Sequence, residues 1–429
     1  MIFSSKRDLP AMVGPLVPRE MASWACTAVL LSAIEGGLVG VMVKNAYSGV
    51  AEPIWINLAV AVAAGAPAFA NLTSFLFASF AQGRHKVRLV SLLIAICSLC
   101  CLVMAAAPFS STGLIVMLVA MITARACWSG VITIRSSIWR MNYPRHVRAR
   151  ITGRIITLSG LLIAATGAGF GFLLDWRQDS LRVIYPVAML FGLWAAFLYR
   201  KMPVRRQAQL LARERADSSG GFRVRQFYAV LSEDPKFRRY MMVMMVFGCG
   251  NLMLLAPLII VFNEHFGISQ FQQVIITASL PLLLVAISVS VWARLLDRKH
   301  ILEYRAIQSW GFVTALAAFA LAAVLRLEWL FWVGSVLWGV AFGGAILGWN
   351  LGHNDFSSEE KSALYMGVHV TLTGVRGLVM PAVAVLLYQW LSSINPEWGP
   401  YVLVIPFFLS ATGAAWFVRM ANEHRREQG

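Results

Sequence analysis

The sequence predicts an all-α membrane protein of twelve transmembrane helices in two six-helix bundles. Of its 429 residues, 59% are hydrophobic and 13% charged. A soluble domain of this size carries roughly a quarter charged residues, so there is too little polar surface here to wet a globule, and lipid must solvate most of the outside. Apolar runs of about 20 residues, the length that crosses hydrocarbon, recur along the chain. They are too long and continuous for barrel strands, the other structure that can span a bilayer. Positive charge also alternates between connectors, as the positive-inside rule requires of a multi-pass topology.

The runs place spans at 21–43, 57–80, 89–108, 113–138, 153–174, 182–199, 239–262, 272–293, 305–325, 329–351, 364–390 and 399–419. Residues 1–20, with Lys6, Arg7 and Arg19 and no small-residue cleavage site, read as a cytoplasmic tail and not a removed signal. Inner connectors hold Arg84, Lys86 and Arg88, then Arg140, Arg145, Arg148 and Arg150, then Arg294, Arg298 and Lys299. Outer connectors are nearly free of Lys and Arg, with Glu264 at 263–271 and Glu397 at 391–398. Arg177 and Arg182 beside Asp175 and Asp179 are one exception, and the acidic inner loop 352–363 is another. The rule counts Lys and Arg alone, so both termini are expected in the cytoplasm of a bacterial-type inner membrane. The connector 200–238, rich in arginine and broken by Ser218-Ser219-Gly220-Gly221, divides a bundle at 21–199 from one at 239–419, with a short tail at 420–429. It reads either as an amphipathic piece on the inner leaflet or as a solvated charged linker.

The net charge of +17 would suggest nucleic acid in a soluble protein. Here the cations sit between apolar runs, so anionic lipid headgroups are the expected partner and nucleic acid is not. Cys26, Cys97, Cys100, Cys101, Cys127 and Cys249 all fall inside apolar runs and read as packing residues. No phosphate-binding Gly-x-x-x-x-Gly-Lys-Ser/Thr and no His-Glu-x-x-His occurs, so no ATP, metal, cofactor or enzymatic constellation is expected, and the chain is expected as a monomer. Trp55, Trp176, Trp329 and Trp398 mark the interfaces, while Trp128, Trp310 and Trp338 are interior.

The two halves match each other locally. Gly153, Thr157, Leu158 and Gly160 correspond to Gly367, Thr371, Leu372 and Gly374 at an offset of 214, and the loop 78–85 corresponds to 293–300 at an offset of 215. At these residues the chain resembles the major facilitator superfamily over all twelve spans. That family carries Gly-x-Leu-x-Asp-Arg-x-Gly-Arg between its second and third helices. The second-half copy here keeps Asp297-Arg298, whereas the first has Gln82 in place of the acid, followed by Gly83, Arg84, His85 and Lys86. Pro144, Arg148, Arg150 and Gly153 reproduce a second family pattern after the fourth helix. The resemblance implies secondary transport, and it makes Arg84, Lys86, Arg148, Arg150, Asp297 and Arg298 candidates for a latch between bundles. The fifth-helix glycines Gly160, Gly167, Gly169 and Gly171 lack the proline of the family's antiporter branch.

Ionisable side chains at lipid depth are costly and usually face a cavity or a partner. Glu35 lies 14 residues into the first expected span and Arg125 lies 13 from the inner end of the fourth, each roughly 20 Å from the cytoplasmic edge. They read as a charge pair that a proton or a charged solute breaks, with a packing ion pair as the alternative. Arg125 could also take an anionic group directly. In the second half, Asn251 lies level with Glu35, Arg376 has no acid at its depth, and His369 sits nearer the inner side. These five are the solute and proton candidates; Arg135 and Arg154 are expected to snorkel to the inner edge. The expected function is alternating-access transport of a small, anionic or zwitterionic solute, with protons as one coupling option. Export of amphipathic toxic compounds is one alternative, and a non-transporting sensor on the same fold is the other.

Overall fold

A computed structural model describes residues 14–177, 179–205, 207–216, 224–358 and 361–428, and among them every regular element is helical. Twelve segments are long and apolar enough to cross a membrane. Spans 1 to 6 are Leu16–Ala46, Pro53–Ala81, Lys86–Ala106, Ser111–Asn142, Ile151–Trp176 and Leu181–Arg200. Spans 7 to 12 are Pro235–Phe266, Gln270–Leu296, Ile301–Leu325, Trp329–Asp355, Leu364–Ile394 and Pro396–Glu427. Each expected span is present, most of them longer by a turn or so, because polar ends continue the backbone hydrogen bonding past the apolar run. Most of the expected tail at 1–20 lies outside the described residues, and helix has begun by Leu16. The side with Leu16 and the 200–238 connector is called the linker face, and the opposite side the far face.

Large apolar side chains such as Leu99, Ile115, Leu190 and Ile287 point outward, each more than half exposed, on the surface that lipid covers. Within each bundle, aromatic and small residues interlock. Gly65 of span 2 illustrates the contact between bundles, since a Cβ there would lie 3.0 Å from Pro381 Cγ of span 11. Small residues at such crossings let backbones approach closely where no hydrophobic driving force exists between helices.

Two spans are broken at mid-depth. Span 1 runs as helix Leu16–Ala33, turns extended at Glu35 (φ −70°, ψ 136°), and resumes as Gly36–Ala46. Span 7 is interrupted between Pro235–Leu252 and Leu255–Val261, with Met253 and Leu254 in the right-handed region. These are the first spans of the two halves, so the breaks are pseudo-equivalent, as expected of a chain built from structural repeats. A continuous first helix was expected. The Ile34-Glu35 step interrupts it, and Glu35 becomes the residue ahead of the second helix, its carboxylate turned to Arg125.

In the connector, helices span Gln207–Ala216 and Val224–Glu233. The first docks on the span 2–3 loop. Glu214 Oε2 accepts from Gly83 N at 2.9 Å and from Lys86 Nζ at 2.6 Å, and Arg215 Nε donates to Gly83 O at 3.2 Å.

Candidate functional site

A cavity of about 490 Å³ lies between the bundles. It runs from Glu35 and Leu258 at mid-depth to Arg305, about a turn into its helix, and Asn350, one residue before its helix ends. The first half contributes Glu35 and the span 2 stretch at Ala64, Pro67, Ala68 and Asn71; the second half contributes the rest of the wall. Its apolar surface includes Phe312, Trp338, Phe342 and Trp349, and its polar groups include Asn251, Thr373, Arg305 and Arg376.

Glu35 and Arg125 come together, with Arg125 Nη1 at 3.7 Å from Glu35 Oε2. Their roles divide, because Glu35 lines the cavity whereas Arg125 stands behind it. Asn251 is in the wall, its Oδ1 3.4 Å from the Ser410 hydroxyl. Arg376, 4% exposed, donates to Met244 O and, at 2.8 Å, to Thr373 Oγ1, while its Nε has no partner among the described residues. It enters no ion pair among the described residues. His369 is 1% exposed and packs its ring edge-on to Trp349, centroids 5.7 Å apart. Among the described residues neither imidazole nitrogen has a partner, and His369 is not one of the lining residues.

Sequence reasoning missed Arg305. It sits one turn into span 9, 1% exposed, and reaches the cavity with Nη1 donating to Gln308 Oε1 at 2.8 Å. Its nearness to the end of an apolar run hid it, because an arginine there usually snorkels. Arg135 departs from the snorkelling expectation. Its guanidinium carbon lies 4.4 Å from the Trp24 ring centroid and 4.0 Å from that of Trp139, so cation–π contact holds it inside the first bundle. Beside it, fully buried Glu20 accepts from Trp24 Nε1, Trp139 Nε1 and the Tyr143 hydroxyl.

The far half of the interface is closed by a network that was not foreseen. Lys44 of span 1 pairs with Glu264 of span 7 and donates to Asn57 Oδ1 at 2.7 Å. Tyr388 of span 11 donates to Glu264 Oε2 at 2.6 Å, and His265 Nε2 lies 2.9 Å from the same hydroxyl. Helix contacts flank it, with Gly37 against Thr277 and Gly171 against Val274. Glu264 stood out in the sequence as the one charge of its connector, but nothing local indicated Lys44.

The latch candidates are arranged differently from one another. Lys86 is bound to Glu214 of the connector, and Arg84 stacks 3.8 Å from the Phe80 ring centroid. Asp297 and Arg298 are exposed and enter no ion pair among the described residues. The side chains of Arg148 and Arg150 lie outside the described residues.

Against known proteins, the family model described as Major Facilitator Superfamily matches residues 23–381. The chain belongs to the major facilitator superfamily. Membership makes it a multi-pass membrane transporter, not an enzyme, of a family that moves small molecules. No curated protein matches the sequence. Among solved structures, this facilitator is similar to a variant of the nucleoside transporter NupG, with a TM-score of 0.70 and 12% identity over 94% of this chain and 99% of that one. It is similar to a D-xylose-proton symporter at TM-score 0.70 and 11% identity, covering 94% and 96% of the two chains. A POT family transporter in complex with a thioalcohol-conjugated peptide matches at TM-score 0.67 and 13% identity, covering 96% of each. At these identities the likeness shows the shared fold.

Proposed function

We propose that this facilitator carries a small anionic or zwitterionic solute by alternating access, with its linker face in the cytoplasm of a bacterial-type inner membrane. The observation that carries the reading is Arg376, a buried cation in the cavity wall with no ion-pair partner among the described residues. A charged guanidinium at mid-membrane costs about 2.5–3.5 kcal/mol even on insertion scales. A bound carboxylate offsets that cost, and the planar fork matches its two oxygens.

Glu35 is the coupling group in this reading. It faces the cavity at a helix break, with Arg125 paired to it from behind the wall. Protonation of Glu35 removes the negative charge from the cavity wall, and an arriving anion is repelled by the ionised carboxylate, which links proton and solute occupancy. The far-face network around Glu264 supports a linker-face-open state, with the cavity reaching toward that face. Rocking the bundles exchanges the far-face contacts for contacts at the linker face, where the cationic loops lie. We divide the chain into bundles at 21–199 and 239–419, a basic connector at 200–238 and cytoplasmic tails. It acts as a monomer, with anionic headgroups against the loop cations and no nucleic-acid partner.

The test is flux in proteoliposomes: a counterflow screen across carboxylates, amino acids and neutral sugars, with and without a proton gradient. Accumulation of a carboxylate that Arg376→Gln abolishes is the expected result. Uptake of neutral compounds alone would overturn the anionic reading, and saturable binding without accumulation would favour a sensor. Export of amphipathic compounds is the second reading, favoured by the aromatic wall at Phe312, Trp338, Phe342 and Trp349.

A further inference from the structure

The second bundle presents two buried arginines to one cavity, and both are incompletely satisfied. Arg305 and Arg376 are 1% and 4% exposed, each leaves Nε without a partner, and neither enters an ion pair among the described residues. Each guanidinium lies against a glycine of a neighbouring helix. A Cβ at Gly348 would stand 2.8 Å from Arg305 Cζ, and one at Gly248 would stand 2.5 Å from Arg376 Cζ. The helices are thus bare of side chain where the two cations rest, so each guanidinium is held in position by its surroundings.

The two positions differ in depth. Arg376 is bonded to Met244 O, nine residues into the helix that starts at Pro235. Arg305 rests on Gly348, three residues before the helix end at Leu351. At 1.5 Å per residue these points lie roughly 14 Å and 5 Å from the ends of their own helices, so Arg376 sits the deeper of the two. Among the described lining residues the only acid is Glu35, and Arg125 backs it at 3.7 Å. Three guanidiniums against one carboxylate leave two positive charges around the cavity, at two depths of its wall.

We propose that the solute carries two separated anionic groups, a dicarboxylate in its simplest form, with one group on Arg376 at mid-depth and the other on Arg305 toward the linker face. The inference rests on the anionic reading above and narrows it to a charge number. Trp349 and Phe342, which line the same cavity, flank the apolar middle of such a molecule. Arg305 thereby becomes the specificity residue, because it rewards the second charge. A solute with one carboxylate leaves it unmatched in a water-poor wall.

The experiment uses the full chain purified in detergent and titrated with succinate, glutarate and adipate. Comparison titrations use acetate, butyrate, inorganic phosphate and neutral succinamide, with binding read by calorimetry and by shift of the melting midpoint. The expected result is that at least one dicarboxylate binds about 10- to 100-fold more tightly than the monocarboxylates and than phosphate, whose charges sit on one group. Arg305→Gln should lower dicarboxylate affinity to the monocarboxylate level and leave monocarboxylate affinity unchanged, whereas Arg376→Gln should lose both. If Arg305→Gln fails to fold, Arg305→Lys keeps the charge without the fork and should show the same loss in smaller degree.

Monocarboxylates or phosphate binding as tightly as every dicarboxylate would overturn the two-group proposal and leave the anionic reading standing. So would dicarboxylate affinity unchanged in a folded Arg305 variant; then Arg305 only packs near the end of its neighbour helix. Failure of every anion beside binding of a neutral or cationic compound would sink both.

Discussion

The ion pair between Lys44 and Glu264 is the sharpest handle on the closed far face, and Lys44→Met tests it. Lys44 and Glu264 side chains are 11% and 35% exposed, so the pair is neither dry nor freely solvated. Contact charges at an effective dielectric of 20 attract by about 4 kcal/mol. Rehydration of both groups on opening returns most of that, and partial exposure of the carboxylate screens more. The remaining preference for the closed face is about 1–2 kcal/mol, which also counts the hydrogen bonds that Glu264 receives from Tyr388 and Asn57. Removing the lysine should therefore raise the ratio of far-open to far-closed molecules about 5- to 30-fold.

The assay places a reporter at Thr277→Cys, in the cavity wall near the closed contacts, in a background with the six native cysteines replaced. Labelling by an impermeant maleimide applied from the far side should quicken by that factor in Lys44→Met. The charge-reversed double variant Lys44→Glu/Glu264→Lys should return toward the original rate. Unchanged labelling in Lys44→Met and in Glu264→Gln, with both proteins folded, would refute the gate and leave the pair as decoration on a face shut by helix packing.

Three further outcomes are expected. Glu35→Gln should keep solute binding within about threefold while abolishing proton-driven accumulation; normal accumulation by that variant would retire Glu35 as the coupling group. Glu214→Gln removes the charge that Lys86 faces, so trypsin should cut the connector about three- to tenfold faster in native protein, and an unchanged rate would show that the helix is held by other contacts. Glu20→Ala strands three buried donors and the stacked Arg135, and should lower stability in detergent by about 2–4 kcal/mol; an unshifted unfolding midpoint would contradict a structural role for this cluster.

Glu214 also bears on Gln82. The first-half signature lacks the acid that Asp297 supplies in the second, yet a carboxylate stands beside Gly83 and Lys86, brought from more than a hundred residues away. Reading the loop alone left its charge unbalanced. The balancing group lies in a connector whose composition looked like an arginine-rich spacer.

What the chain determines by itself is the solvent it folds in, the number and placement of its crossings, the relation between its halves, and which polar residues lie at depth. Apolar run length and charge alternation are local properties, and hydrocarbon enforces them one span at a time. Glu35, Arg125, Asn251 and Arg376 could be picked out for that reason, since depth follows from counting residues along a helix. Only the tertiary structure decided that Glu35 faces the cavity with Arg125 behind it, that Arg305 enters the same cavity, and that Lys44 meets Glu264. Those facts depend on helix rotation, on the break at Ile34-Glu35 and on contacts across hundreds of residues. A sequence fixes how deep a side chain lies, but which way it points is set by what packs against its helix.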